Sequence, residues 1–331
     1  MPASSQRPRR LVPFVMIVVL MAAAGLGGIL IASRSTIESV HRIESVDAAL
    51  TSAVQQSTDN YLLVGSDSRA NSDPNSPDYG GIGNASQVTG NRSDTIMVLR
   101  HDATTGALSL LSIPRDLWVD IPGKGKSRIN SAFNDGPAAL VKTVQESVGI
   151  PIQHYVEVDF SGFKQLVDSI GGVQICFEVP TRDLNTGLNI TEPGCYQLDG
   201  VRALQYARSR HYQELRNGKW REDGTSDIGR TKRQREFIST ALNTALAKVK
   251  ADPFKAGSII SSSASAVGID SGLDLVGTVN ALRPALEGGL KSYALPVVGK
   301  TIDGKAVLLL GKGADVVIAY FNGAGPPPAE G

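Results

Sequence analysis

The sequence has few of the residues on which common metal and disulfide scaffolds depend. Its 331 residues include two cysteines and four histidines, and no Cys/His cluster has zinc-site spacing. Lys and Arg total 33 against 32 Asp and Glu, and this near-neutral balance disfavours binding nucleic acid through bulk positive charge. There is no G-x-S-x-G and no H-E-x-x-H, and Gly125-Lys126-Ser127 lacks the first glycine of a phosphate-binding loop. These absences exclude a zinc finger, a disulfide scaffold and the commonest motif-defined hydrolases.

The composition is otherwise that of a globular protein with a sizeable core. Apolar side chains make up 41% of the residues, and the 35 glycines bring the share to roughly half. A length of 331 residues suggests about two domains, although one α/β domain can reach about 250 residues.

The N-terminal region predicts a membrane anchor. Residues 11–32 carry no charge, and a helix of that length spans the roughly 30 Å hydrocarbon core of a bilayer. Three arginines lie within residues 1–10 and Arg34 follows, so residues 1–10 are predicted to be a cytoplasmic tail and the remainder extracytoplasmic. The alternative is a cleaved signal peptide, whose apolar stretch usually has only about 7–15 residues. The predicted location is the cell membrane, with a single span.

The hydrophobic pattern after the anchor predicts one mixed α/β domain. Residues 33–59 are predicted to form a stalk helix or a loose linker, residues 60–322 the domain, and residues 323–331 a disordered tail. Apolar runs predict strands at Tyr61–Val64, Thr95–Arg100, Leu108–Ile113, Tyr155–Val158, Val173–Val179, Ser292–Pro296 and Lys305–Leu310. Amphipathic periodicity predicts helices at Pro137–Val148, Phe160–Ile170, Arg230–Lys250 and Leu273–Leu286. Alternating strands and helices imply a layered α/β fold.

Arginine and aspartate recur where strands end or helices begin. The residues concerned are Asp67, Arg92, Asp94, Arg115, Asp116, Arg208, Arg210, Asp227, Arg230, Arg233 and Gln234. Ligands bind at strand ends in α/β folds, guanidinium groups hold phosphate oxygens, and carboxylates hold hard divalent cations. The pattern predicts a metal-diphosphate site.

Local spacing adds detail to this hypothesis. Arg208 and Arg210 would point the same way in an extended segment, and Arg230, Arg233 and Gln234 share one helix face. The alternative for any single member is a surface charge or a structural ion pair, which we expect for Asp116.

Cys176 and Cys195 are predicted to form a structural disulfide. Both lie outside the cytoplasm in the predicted topology, where thiols tend to oxidise. They bracket an 18-residue excursion, a loop that is sterically able to close. The alternative is two separate buried thiols.

Five sequence runs together resemble the LytR-CpsA-Psr family of bacterial cell-wall ligases. They are RSDTIMVL, SIPRDLWVDIPGKGKSRINSAF, HYVEVDFSGFKQLVDSIGGV, LDGVRALQYARSRH and DIGRTKRQREFI, all in the family order. The resemblance covers roughly residues 61–250, and an N-in single-pass anchor is also typical of the family.

The resemblance implies an α/β/α sandwich around a mixed central sheet, preceded by one transmembrane helix. It also implies a phosphotransferase that moves a glycopolymer from a polyprenyl-diphosphate carrier onto a peptidoglycan sugar hydroxyl. By this resemblance Asp67 and Asp94 are the ligands of Mg²⁺, for which Mn²⁺ is an alternative. The implied diphosphate contacts are Arg92, Arg115, Arg208, Arg210, Arg230, Arg233 and Gln234, with Arg115 and Asp94 the catalytic pair.

Other functions stay open at this stage. A hydrolase that cleaves the same diphosphate with water would have the same site, and a non-catalytic envelope sensor or attenuator would bind the same lipid-linked anion. The proton acceptor for the attacking hydroxyl is also open, because Asp67 or Asp94 would be a poor base when bound to a metal. No nucleic-acid partner is expected.

Overall fold

The computed structural model describes residues 40–52, 58–66, 93–223, 226–251, 266–274, 278 and 290–328. The strands are β1 (His41–Arg42), β2 (Thr58–Ser66), β3 (Ser93–Asp102), β4 (Ala107–Ile113), β5 (Trp118–Ile121), β6 (Gly125–Arg128), β7 (His154–Val158), β8 (Val173–Phe177), β9 (Thr181–Asp183), β10 (Leu188–Ile190), β11 (Gly194–Leu198), β12 (Gln213–Arg216), β13 (Lys219–Glu222), β14 (Gly268–Ile269), β15 (Leu290–Ala294), β16 (Val297–Ile302) and β17 (Lys305–Leu310). The α-helices are α1 (Pro137–Thr143), α2 (Phe160–Ser169), α3 (Gly200–Arg208), α4 (Ser226–Ala251) and α5 (Ala314–Phe321).

A mixed sheet forms the centre of the fold. Within the described residues its strand order is β1-β14-β7-β2-β3-β4-β15. β2 is parallel to β7 and antiparallel to β3, and β4 is antiparallel to β3 and parallel to β15. The prediction of a mixed α/β fold with a central mixed sheet is therefore confirmed.

Both faces of the sheet are buried, which explains the continuous apolar runs of its strands. Leu62 and Val64 of β2 pack in a core that includes Val141 of α1 and Val317 of α5. On the opposite face, Tyr61 and Leu63 pack in a second core, against which Ile238 of α4 also packs. A third core lies among α2, α3, α4 and the β8–β11 pair. Helices consequently cover both faces of the sheet.

Most predicted elements are present in the structure. β2, β3, β4, β7, β8, β15 and β17 match the predicted strands, and α2 and α4 match the predicted helices. The helix predicted at Pro137–Val148 is an α-helix that continues as a π-helical turn over Val144–Val148. Of the helix predicted from Leu273, the first two residues are not helical, and most of the remainder lies outside the described residues.

Several elements were not predicted. They include the β5–β6 hairpin, the helices α3 and α5, and a small antiparallel sheet with the order β10-β9-β12-β13. The strands of the hairpin and of the small sheet have three or four residues each. Segments of this length are too short to show a hydrophobic periodicity.

The described part of the predicted stalk belongs to the folded domain. His41–Arg42 forms β1, which pairs with β14, and the segment Glu44–Ala49 is a 3₁₀ helix. Val46 in that segment is fully buried in the first core. A stalk or linker over residues 33–59 is therefore wrong for these residues, because apolar side chains at Val40 and Val46 contact the sheet and its flanking core instead of leaving the domain.

The predicted anchor lies outside the described residues. Among the residues that are described, we find no helix with the length and apolar character to cross a bilayer. The predicted disulfide is present: Cys176 and Cys195 are register partners across β8 and β11 and are joined through their sulfurs. The bond closes a segment of chain that contains β9 and β10.

Candidate functional site

The strands that lead to the predicted site residues end at one edge of the central sheet. β2 ends there at Ser66, β7 at Val158 and β4 at Ile113, while β3 begins there with Ser93. Asp67 follows β2 in the chain, Arg92 precedes β3, and Arg115 follows β4. The topology therefore gathers the attachment points of these residues, which are far apart in the chain, at one edge.

A β-bulge interrupts this edge at Asp94. Gly65 pairs with Thr95, and the next residue, Ser66, pairs with Ser93, so Asp94 is the extra residue that faces no partner on β2. A bulge leaves one residue outside the regular ladder and re-aims it, and bulges are frequent beside active sites. The backbone at Asp94 thus departs from regular pairing at the position where the sequence predicts a catalytic residue.

Arg115 lies in the turn that follows β4 and is mostly buried. Its side chain is 17% exposed, and its Nε lies 3.6 Å from Oδ2 of Asp116. The other carboxylate oxygen of Asp116, Oδ1, is 3.4 Å from Nε of Arg128. Asp116 therefore lies between two guanidinium groups, as expected for a structural ion pair.

Arg208 is held at the same edge by an aromatic ring. Its guanidinium carbon lies 4.5 Å from the centroid of the Phe160 ring, and Phe160 begins α2 two residues after β7 ends. Arg208 and Arg210 do not share one extended segment. Arg208 is the last residue of α3, and the chain becomes extended only at Ser209, because the capping hydrogen bond of the Ser209 amide to Tyr206 O ends the helix.

Arg233 and Gln234 support the segment that carries Arg208. Arg233 donates through Nη2 to Ser209 O at 2.8 Å and through Nη1 to Asp223 Oδ2 at 2.7 Å. Gln234 donates through Nε2 to Ala207 O at 3.1 Å. Both side chains are buried on one face of α4, as the spacing predicts. They bind the backbone on both sides of Arg208, a role that the predicted diphosphate contact did not include.

Arg230 shares this buried face of α4. Arg230 is 2% exposed, which is a smaller exposed fraction than that of Arg233 or Gln234. The face shared by Arg230, Arg233 and Gln234 is therefore buried.

Asp183 is the residue of this region that the sequence did not indicate. From β9, its Oδ2 accepts hydrogen bonds from Ser209 Oγ at 2.6 Å and from the amides of Arg210 and His211 at 3.0 Å each. Its Oδ1 accepts from the amides of Asn185 and Thr186. Asp-Leu-Asn-Thr-Gly in the sequence signals the local turn, but nothing in it signals the contact with residues 209–211.

The hydrogen bonds also set the ionisation of Asp183. Burial by itself would raise the pKa of this carboxyl, but the bonds from Ser209 and from the amides of Asn185, His211 and Thr186 outweigh burial, and the pKa lies below its usual value. Asp183 is therefore an ionised, fully buried anchor for the Arg208–Arg210 segment.

Several predicted site residues cannot be placed. Asp67 and Arg92 lie outside the described residues. For Asp94 and Asp227 the structure describes the backbone but not the side chain. Among the residues whose side chains are described, no group of three or more His, Cys, Asp or Glu is arranged to hold a metal ion.

Residues 30–316 match the model of the LytR_cpsA_psr family, and the chain belongs to this family. It is 34% identical over 277 residues to the probable cell wall biosynthesis protein LcpB of Corynebacterium glutamicum, covering 83% of this chain and 63% of LcpB. It is 31% identical over 220 residues to TagU of Oceanobacillus iheyensis, a polyisoprenyl-teichoic acid–peptidoglycan teichoic acid transferase, covering 64% of each chain. The matched part thus spans less than two thirds of either relative.

The fold is also that of a solved member of the family. A LytR-Csp2A-Psr enzyme from Actinomyces oris superimposes with a TM-score of 0.66 at 23% identity, covering 86% of this chain and 96% of the other. At this identity the likeness establishes the fold.

Proposed function

We propose that this protein is a phosphotransferase that moves a glycopolymer from a polyprenyl-diphosphate carrier to a sugar hydroxyl of peptidoglycan. The observation that carries the proposal is the sheet edge at which β2, β3, β4 and β7 meet, with Arg208 fixed over Phe160 at the same edge. Family membership and the similarity to TagU support the same reaction.

Phosphoryl transfer asks a protein mainly for positioning and for positive charge around the transferred group. Arg115, Arg208 and Arg210 are arginines whose backbones are held by turns and hydrogen bonds. Guanidinium groups bind phosphate oxygens with two parallel hydrogen bonds, and fixed donors stabilise charge as it grows on the leaving lipid phosphate. We assign Arg92 and Arg230 to the same diphosphate.

The donor set at the edge fits a hard divalent cation. Ser66 and Ser93 are register partners, and the next residues in the chain are the carboxylates Asp67 and Asp94. Carboxylate oxygens are the ligands that Mg²⁺ prefers, and Mn²⁺ accepts the same set. When bound there, the cation would neutralise charge on the diphosphate.

The anchor belongs to the same proposal. A polyprenyl carrier stays in the bilayer, so an enzyme that consumes it works best at the membrane surface. We therefore propose that residues 11–32 hold the domain at the outer face of the cell membrane, with residues 1–10 in the cytoplasm.

Transfer from a labelled polyprenyl-diphosphate donor to a peptidoglycan acceptor tests the function. Arg115→Ala should lower the rate by roughly 10²–10³, because it removes a charge-assisted contact from the site. Asp94→Asn should be similarly slow, and a raised Mg²⁺ concentration should restore part of its rate but none of the Arg115→Ala rate. Arg216→Ala and Asp120→Asn, at exposed positions of β12 and β5, are the matched controls.

The same assay separates the alternatives. A hydrolase would release the glycan equally well without acceptor, and a sensor would bind the donor without consuming it. If both site variants melt at lower temperature yet transfer normally per folded molecule, the two residues are structural and the assignment of this edge is wrong.

A further inference from the structure

A cavity of about 210 Å³ lies beside the β5–β6 hairpin. Its lining combines one indole ring, two amides, two hydroxyls and two cationic side chains. Those used below are Trp118, Arg128, Asn130, Asn134 and Lys305. Trp118 and Arg128 are register partners across the hairpin, so their side chains leave the same face of it.

Asn130 is the most buried residue of the cavity lining. It is 9% exposed and lines the cavity, which places its side-chain amide at the cavity wall. A side-chain amide offers one acceptor and two donor hydrogens, so it can form hydrogen bonds with a bound polar ligand. Asn134 and Lys305 are exposed members of the same lining, so their polar groups are accessible to a ligand.

The cavity adjoins the candidate functional site through the backbone. The backbone N–H of Asn130 donates to Arg115 O at 3.2 Å, and the backbone N–H of Ile129 donates to Leu117 O at 2.8 Å. Arg128 approaches Asp116 at 3.4 Å and donates through Nη2 to Ala306 O at 2.7 Å. The wall of the cavity and the turn that carries Arg115 are therefore one connected piece of structure.

The lining defines the chemical class of the ligand. An indole beside convergent amides and hydroxyls suits a molecule with an apolar face and a rim of hydroxyl groups, which is the character of a sugar ring. Arg128 and Lys305 add positive charge, which favours an anionic substituent. The volume is below the roughly 300–1,000 Å³ of sites for drug-sized ligands, and this limits the occupant to about one sugar unit.

We propose that this cavity binds one sugar unit that carries an anionic group, beside the turn of Arg115. The inference rests on the proposed function, because it treats the sugar as part of a glycan substrate. Two sources have this chemistry: an acidic sugar of the peptidoglycan acceptor, and the phosphorylated sugar of the donor.

Tryptophan fluorescence tests the proposal directly. The chain has two tryptophans, Trp118 and Trp220, so Trp220→Phe leaves Trp118 as the only reporter. The full-length variant in detergent is titrated with the peptidoglycan disaccharide GlcNAc–MurNAc, with N-acetylglucosamine 1-phosphate and with neutral chitobiose. We expect a saturable change in Trp118 emission with at least one anionic probe and none with chitobiose.

Two variants in this background identify the cavity. Asn130→Ala and Lys305→Ala should each weaken binding by about threefold to tenfold, since each removes one hydrogen-bonding group. Lys305 is exposed, so its variant remains informative if Asn130→Ala does not fold. Asn243→Ala and Lys300→Ala, at exposed positions on α4 and β16, are the matched controls and should bind like the parent.

The outcomes separate this proposal from the proposed function. Tighter binding of the disaccharide assigns the cavity to the acceptor, and tighter binding of the sugar phosphate assigns it to the donor. Absence of saturable binding, equal binding of chitobiose, or binding unaffected by both variants overturns the proposal. Protein that transfers glycopolymer but binds no probe refutes the cavity alone, whereas protein that binds but does not transfer refutes the function alone.

Discussion

Asp183 connects two parts of the chain that also meet through the pairing of β9 with β12. Its carboxylate joins the end of β9 to the segment Ser209–His211, directly after the predicted site residue Arg208. Because the carboxyl is fully buried and accepts hydrogen bonds on both oxygens, its charge is compensated entirely by local donors.

Asp183→Asn should lower the free energy of unfolding by about 2–3 kcal/mol, since an amide cannot accept all of these bonds. It should also slow glycopolymer transfer per folded molecule, because the Arg208–Arg210 backbone loses its anchor. Urea denaturation and the transfer assay measure the two effects. The depressed pKa means that this stabilisation is present above about pH 3.9 and is lost as the pH falls through the lower folded value.

Asp120→Asn makes the same chemical change at an exposed position of β5 and should alter neither measurement. Unchanged transfer in folded Asp183→Asn protein would show that the anchor is purely structural.

Glu157 gives the opposite dependence on pH. Burial raises the pKa of its carboxyl, an effect that hydrogen bonds such as that from Tyr155 OH at 3.0 Å only partly offset. The native state therefore holds the proton more tightly than the unfolded state, and this contribution to stability is lost as the pH rises from about 4.3 through the folded pKa. Glu157→Gln stays neutral and still accepts the hydrogen bond.

We expect the unfolding free energy of Glu157→Gln, measured relative to that of the wild type, to increase as the pH rises from about 4 to about 8. Urea denaturation across this range measures the difference, with Glu146→Gln at an exposed position as the matched substitution. Parallel pH profiles for wild type and Glu157→Gln would contradict the assignment.

The sequence identified the residue types of the site better than their contacts. Arg208, Arg233 and Gln234 were predicted together, and the structure does bring them together. Their hydrogen bonds run to the carbonyls of Ala207 and Ser209, however, and side-chain-to-backbone contacts across more than 20 residues leave no periodic trace in a sequence. Asp183 was not predicted because its contacts are also with residues more than 20 positions away in the sequence.

The long apolar strands of the central sheet were predicted well, whereas the strands of three or four residues and the helices α3 and α5 were not. β2, β3 and β4 are long, apolar and buried on both faces, so composition alone marks them. β9 and β10 have three residues each, and their pairing depends on contacts with β12 and on the disulfide-closed segment. Tertiary contacts define these strands, and tertiary contacts cannot be read from local pattern.

The disulfide should stabilise this small sheet. Cys176→Ser with Cys195→Ser should lower the free energy of unfolding by roughly 3 kcal/mol, because the oxidised bond restricts the unfolded chain over a loop of this length. Both cysteines are exposed, so the substitution leaves no cavity in the core. Urea denaturation of wild type and double variant, each with and without reductant, measures the effect.

Reductant should lower the stability of the wild type to that of the double variant and leave the variant unchanged. Two modifiable thiols in unreduced, denatured wild-type protein would rule out the bond.

At the scale of the whole molecule, the domain should fold without the proposed anchor. Removing residues 1–32 leaves β1 and the buried Val46 in place, so we expect the same thermal unfolding as for the full chain. Transfer from a donor embedded in vesicles should slow by a factor on the order of 10², since enzyme and donor are no longer confined to one surface.

A short-chain, water-soluble donor is the control and should be consumed equally by both proteins. Equal rates on the vesicle-borne donor would refute membrane anchoring as a condition of activity.

The last helix has a consequence for how the protein is made. Asn60 of β2 donates through Nδ2 to Phe321 O at 2.9 Å, and Ser109 of β4 shares a hydrogen bond with Tyr320 OH. A chain is synthesised from its N-terminus, so the central sheet emerges long before the helix that closes one of its faces. A product interrupted before Ala314 would leave the face around Leu111 and Tyr293 open to water. Until α5 has formed, this apolar face is open to quality-control proteases.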